Sequence, residues 1–115
     1  MPECSRLFTV KLHRYKRVAR LNDYDVKLIK AKREFVWHSH PDTDELFFAL
    51  EGAFSIRLRD TTLRLNPGEM VVVPKSVEHK PICDDVCTVL LIEPTGTVNT
   101  GDAGGALTDT DLEDI

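Results

Sequence analysis

Cysteine is scarce in this chain of 115 residues: three in all, too few for the disulfide framework that staples small secreted domains. Long apolar runs are absent too. Stretches such as 70–74 and 89–92 are far too short to cross a bilayer. No basic start leads into an apolar segment near Met1, so a secretory signal is not expected and the cytoplasm is the expected compartment. Aromatic residues make up only 7%, and the net charge is −4 rather than basic. Neither favours a nucleic-acid partner. The chain is instead 42% hydrophobic and 30% charged, the balance of one globular domain with a single core.

The charge is unevenly placed. Residues 1–37 hold ten of the fifteen Lys and Arg and four acids, so the first third carries +6 and the remainder −10. A basic end can hold a phosphate or an acidic partner, but without aromatic interleaving or a groove-binding motif the better expectation is a set of solvated strand faces.

Strands and turns dominate the pattern. Residues 17–21 and 24–31 flank Asn22-Asp23 as a hairpin would, and 35–40 reads as the next extended run. Residues 45–50 and 54–59 flank Glu51-Gly52, a second hairpin signature. Phe54, Ile56 and Leu58 alternate with Ser55, Arg57 and Arg59, which puts these arginines outward. Leu63 and Leu65 alternate in the same way with Thr62 and Arg64. Asn66-Pro67-Gly68 is a turn, and the runs 70–73 and 87–92 read as strands covered on both faces. Cys83 and Cys87 flank Asp84-Asp85 as across a hairpin turn. Such cysteines are more often apolar fillers than a redox pair or soft ligands. Trp37 falls outward, to pack on N-terminal strands or on a partner. From residue 95 onward four glycines, five acids and no Lys or Arg predict a loop-like acidic tail. The whole predicts one domain over 1–115: an irregular N-terminal segment, a barrel core over about 16–94 and a tail over 95–115.

Three of the four histidines fall into one constellation. In an extended strand His38 and His40 point to the same side, with Ser39 opposite. Glu45 opens the next strand after a short turn-forming stretch, so its carboxylate can return beside both imidazoles; Asp44 next to it could orient a ligand. His79 arrives after the 68–74 strand. Three imidazoles and one carboxylate suit one divalent ion, Mn, Fe, Ni, Co or Zn, with coordination positions left open.

The spacing is also recognisable. His38-x-His40, four residues, Glu45, six residues and Gly52 resemble the first signature of the cupin superfamily. Gly68, five residues, Pro74, Lys75, Ser76, two residues and His79 resemble its second, with fifteen residues between Gly52 and Gly68. The chain departs from the family pattern at Lys32, Ser76 and Cys83, where the usual residues are glycine, glycine and asparagine. Residues 91–102 resemble the segment after the last barrel strand in a group of small bacterial cupins. The resemblance implies an all-β fold, a single antiparallel jelly-roll β-barrel with the metal inside near one mouth. It also implies His38, His40, Glu45 and His79 as metal ligands and, by family habit, a homodimer. With Glu45 inward, Phe47 and Ala49 share its direction; Met70 and Val72, with residues near Val89 and Leu91, are then expected to line the pocket.

Three functions stand as expectations. The first is a metal-dependent enzyme on a small oxygen-bearing molecule, of isomerase or dioxygenase type. The second is a non-catalytic small-molecule binding or sensing barrel, and the third is a metal-free barrel. No catalytic base besides the ligands is identifiable, His13 being a guess, and fold analogy alone does not choose among them. A small-molecule ligand is expected in each case, with no nucleic acid and no membrane as partner.

Overall fold

The computed structural model describes residues 14–97, 101 and 113–114. Cys4, His13 and the N-terminal segment expected to be irregular lie outside them, as does most of the tail. Among the described residues there is no helix, and hence none long and apolar enough to cross a membrane.

Eight strands lie in chain order: β1 (Tyr15–Leu21), β2 (Tyr24–Glu34), β3 (Glu45–Glu51), β4 (Phe54–Arg57), β5 (Thr62–Leu65), β6 (Met70–Val73), β7 (Lys80–Pro94) and β8 (Glu113–Asp114). They form one branched sheet in the order β5-β4-β7-β2-β1-β8, with β3 joining β7 to β6. Every pairing is antiparallel except β1 with β8. The sheet folds on itself in jelly-roll fashion, as expected, but its hydrogen bonding does not close into a complete barrel.

The β1–β2 hairpin turns at Asn22, whose φ of 53° is a conformation asparagine tolerates. The second expected hairpin is a corner instead. β3 and β4 do not pair with each other; both run antiparallel along β7, Glu51 opposite Thr88 and Phe54 opposite Cys83. Gly52 makes this corner possible, with a φ of 82° and its backbone pressed on Val86 and Cys87, where a Cβ would overlap the Val86 carbonyl oxygen. Asp84 and Asp85 do not form a hairpin turn either. They lie in a bulge of the continuous strand β7: between the pairs Lys32–Val86 and Glu34–Ile82, β2 has one residue and β7 has three. The bulge draws Cys83 and Cys87 to a Cα separation of 5.8 Å, and they form a disulfide rather than acting as separate fillers. A loop this short constrains the bulge more than the chain as a whole. The tail also departs from a pure loop, since β8 supplies β1 with hydrogen-bonding partners that an edge strand would otherwise leave open.

The inward face is a buried cluster that includes Ile29, Phe47, Ala49, Phe54, Ile56, Val89 and Leu91. Met70 and Val72 do not line it; they are 58% and 51% exposed. Glu45 pairs with Val73 and Phe47 with Val71. Directly opposed residues share a face, so the inward side chains of β6 are Val71 and Val73, and Met70 and Val72 point to solvent.

Much of the basic excess of the first third is paired within the chain. Arg17 and Arg20 meet the buried Asp25 at 3.0 and 3.4 Å, and Lys27 meets the buried Glu93 at 2.8 Å.

The turn after β6 carries Ser76 where the resembled motif has glycine. Its φ is 68°, its N–H donates to the His40 carbonyl at 2.9 Å, and its hydroxyl reaches the Pro41 carbonyl at 3.3 Å. A left-handed conformation costs an L-residue ~1 kcal/mol, which glycine avoids. Ser76→Gly should therefore hold or raise the unfolding free energy, by up to about 1 kcal/mol, while Ser76→Val should lower it. Denaturant unfolding of both variants checks this, and a clear loss in the glycine variant would contradict it.

Candidate metal centre

The two motifs meet through the backbone. His38 N–H donates to the His79 carbonyl at 3.0 Å and His79 N–H to the His38 carbonyl at 2.9 Å. The 35–40 stretch is not a full strand, yet this bridge is enough to place His38 and His40 on one side, with ring centroids 5.1 Å apart. The His38 and His79 rings lie 4.3 Å apart. Glu45, the first residue of β3, enters beside them. The ligand-type atoms of His38, His40, Glu45 and His79 all lie within 4.8 Å of one another, and all four residues are buried.

The hydrogen bonds fix which ring nitrogens face inward. His38 Nδ1 and His79 Nδ1 each lie 2.9 Å from a backbone carbonyl, that of Val36 and of Val77. A carbonyl can only accept, so each Nδ1 carries the proton and each Nε2 keeps its lone pair. His79 Nε2 then faces Glu45 Oε1 at 3.3 Å, lone pair toward carboxylate oxygen. His40 Nε2 is 3.4 Å from the same oxygen and makes no hydrogen bond among the described residues. Three buried imidazoles and one buried carboxylate whose ligand-type atoms converge in this way fit a divalent metal ion.

Burial pushes the Glu45 carboxyl up, but its neighbours, the side-chain hydrogen bond with Glu93 first among them, outweigh this and hold it well below the usual carboxylate range. Burial, more than any neighbour, lowers His38 to about 4. Both side chains are thus in the form that binds a cation. Glu93 and Lys27 were not legible as site residues, although each shares the inward parity of its strand: Glu93 lies two residues after Leu91, and Lys27 two before Ile29. Glu93 is pushed well above the usual carboxylate range, first by burial and then by Glu45 beside it, against the opposing charge of Lys27. Lys27 Nζ also donates to the Thr97 carbonyl at 3.1 Å.

The cluster meets solvent on the His40 side, at an opening lined by Pro41, Thr43, Thr95, Thr97 and Gly101. Gly101 packs tightly there, since an added Cβ would overlap the Ser39 carbonyl and lie 3.1 Å from His38 Cδ2. On the other side the cluster is bounded by two aromatic rings, Phe35 at 5.5 Å from His38 and Phe47 at 5.8 Å from His79. Asp44 does not reach a histidine; it accepts from the Lys75 N–H at 2.8 Å and ties down the turn before Ser76. Trp37 packs under the Arg59 guanidinium, 3.9 Å from its ring, and Arg59 pairs in turn with Glu78.

Comparison with known proteins agrees with this geometry. Residues 25–93 match the family described as Cupin domain. A cupin-2 domain containing protein from Shewanella frigidimarina NCIMB 400 is 41% identical, with a TM-score of 0.76, over 82% of this chain and 92% of that one. Protein NMB1881 from Neisseria meningitidis is 30% identical, with a TM-score of 0.72, over 83% and 98%. An uncharacterized protein of Bacillus subtilis (strain 168), YdbB, is 38% identical over 64 residues; the match spans 55% of this chain and 57% of that protein. The chain belongs to the cupin family. Within that family it is a small cupin whose His/His/Glu/His cluster is able to hold a metal ion.

The buried state of His38 has a pH consequence. Below its ordinary 6.5 the unfolded residue takes up a proton that the folded one refuses until about 4, so acidification through this window favours unfolding. Between pH 7 and pH 5 the metal-free protein should lose about 2 kcal/mol through His38. The raised carboxyl of Glu93 acts with the opposite sign, so the informative quantity is the difference in pH slope between wild type and His38→Gln. Denaturant titrations in chelator should show the flatter slope in the variant; equal slopes would contradict the assignment.

Proposed function

We propose that His38, His40, Glu45 and His79 bind one divalent ion (Mn, Fe, Ni, Co or Zn) and that the protein is a metal-dependent enzyme. Its substrate is a small oxygen-bearing molecule, handled by isomerase- or dioxygenase-type chemistry. The observation that supports this reading best is the convergence of ligand-type atoms of four buried side chains, His38, His40, Glu45 and His79, within 4.8 Å of one another. When bound, the ion supplies Lewis acidity toward a substrate oxygen or a place for dioxygen. The chain's own residues do the rest. Glu45 offsets part of the ionic charge, and the Val36 and Val77 carbonyls hold two imidazoles in the binding tautomer. Phe35 and Phe47 keep water from one side.

Wild-type protein purified without chelator should carry close to one equivalent of such a metal. His40→Ala and His79→Ala should lose metal affinity about tenfold or more while remaining folded. Elemental analysis with circular dichroism checks this, and normal occupancy in both variants would refute it.

We also propose a homodimer. The outward rows of the sheet place the exposed Met70 and Val72 beside the half-buried Phe48, Leu46, Leu90 and Ile92, and a contiguous apolar face favours a second copy. Light scattering should give twice the chain mass for wild type and a single mass for Val72→Asp. A monomeric wild type would exclude it.

A further inference from the structure

Three charged side chains stand side by side on three neighbouring strands at the polar end of the inward face: Lys27 on β2, Glu93 on β7 and Glu45 on β3. The β3–β7 register, in which Leu46 faces Ile92, carries Glu45 opposite Glu93 one step further on. Lys27 and Glu93 are 4% and 0% exposed. Lys27 Nζ donates to Glu93 Oε1 at 2.8 Å, and the Glu93 side chain shares a hydrogen bond with that of Glu45. Glu93 Oε2 finds no donor among the described residues, so the lysine is the donor that fixes this carboxyl. A second Lys27 bond, to the Thr97 carbonyl at 3.1 Å, reaches the segment that borders the opening. Burying a lysine with a carboxyl is costly, and an apolar pair of similar volume often gives equal or greater stability. Two residues further along the same strands, Ile29 and Leu91 fill the core with apolar groups. Packing alone therefore does not account for Lys27 and Glu93.

We infer that Lys27 is a positioning residue of the metal centre. By fixing Glu93 it sets where the Glu45 carboxylate stands among His38, His40 and His79, and by holding Thr97 it ties the rim of the opening to the same point. The inference rests on the metal reading proposed above and adds the residue that aims its single carboxylate. Glu45 opens β3 after a stretch without regular pairing, and a ligating carboxylate turns about its own bonds unless an outer group holds it. Methionine in place of Lys27 would fill the space and donate nothing. Glutamine in place of Glu93 can still accept from Lys27 through its amide oxygen and donate to Glu45 through its nitrogen. It keeps the relay without the carboxyl.

The cobalt-loaded full chain tests this, because the visible absorption of cobalt(II) follows the geometry of its ligands, which a change confined to packing leaves alone. Lys27→Met should bind cobalt about tenfold more weakly in competition with a chelator and should shift the absorption bands. Glu93→Gln should keep both close to wild type. Lys27→Met leaves a buried carboxyl unpaired and can fail to fold, so Lys27→Met/Glu93→Gln is measured beside it. Circular dichroism should show this double variant folded, with the weakened affinity and shifted bands of the lysine variant. A folded double variant with wild-type affinity and bands would overturn the inference, and so would a Glu93→Gln variant as impaired as Lys27→Met. An unfolded double variant would assign Lys27 to stability instead and overturn it too. The two readings fail separately: cobalt uptake by wild type that is lost in His79→Ala upholds the metal centre whatever the lysine variants do, whereas a wild type that takes up no cobalt overturns both.

Discussion

Two backbone hydrogen bonds, exchanged between His38 and His79, hold together segments that are distant in the chain, and the metal centre depends on them. Each imidazole is oriented by a carbonyl two residues before it, Val36 for His38 and Val77 for His79. The bridge thus sets the positions of the two backbones and, through them, the directions of two rings. Ser76 extends the same seam by donating to the His40 carbonyl. Without that seam, His38 and His40 would lie on a stretch with no other regular pairing.

The second constraint is electrostatic. Asp25, Lys27, Glu45 and Glu93 are all buried at one end of the inward face, where unpaired charge is costly. Arg17 and Arg20 answer Asp25, and Lys27 answers Glu93. Glu45 meets Glu93 and the imidazoles of His40 and His79, and a bound cation would answer its charge more directly. Beyond Phe47 the inward face turns apolar, so the barrel is divided into a polar end and an oily end with the histidines at the boundary.

The sequence showed the site more clearly than the path of the strands. His38, His40, Glu45 and His79 were legible because motif spacing is a local property. Phe47 and Ala49 share the direction of Glu45 by simple alternation. Met70 and Val72 were misplaced because four apolar residues in a row carry no alternation; only the Glu45–Val73 pairing, formed between distant segments, decides which two face in. Glu51-Gly52 and Asp84-Asp85 have the composition of turns, but a glycine with positive φ also serves a corner, and the aspartates sit in a bulge. What distinguishes these outcomes is β7, a partner for both β3 and β4, which local composition does not reveal. Lys27 and Glu93 were missed because a charged residue within a strand reads as solvent-facing until its partners are known.

X-ray absorption at the edge of the bound metal tests the central claim most directly, because it reports the ligand types around the ion. On protein reconstituted with a single metal, the expected result is a nitrogen and oxygen shell with the outer-shell scattering of several imidazoles and no sulfur. A sulfur shell, or an ion without imidazole scattering, would contradict the assignment of His38, His40, Glu45 and His79 as the ligands.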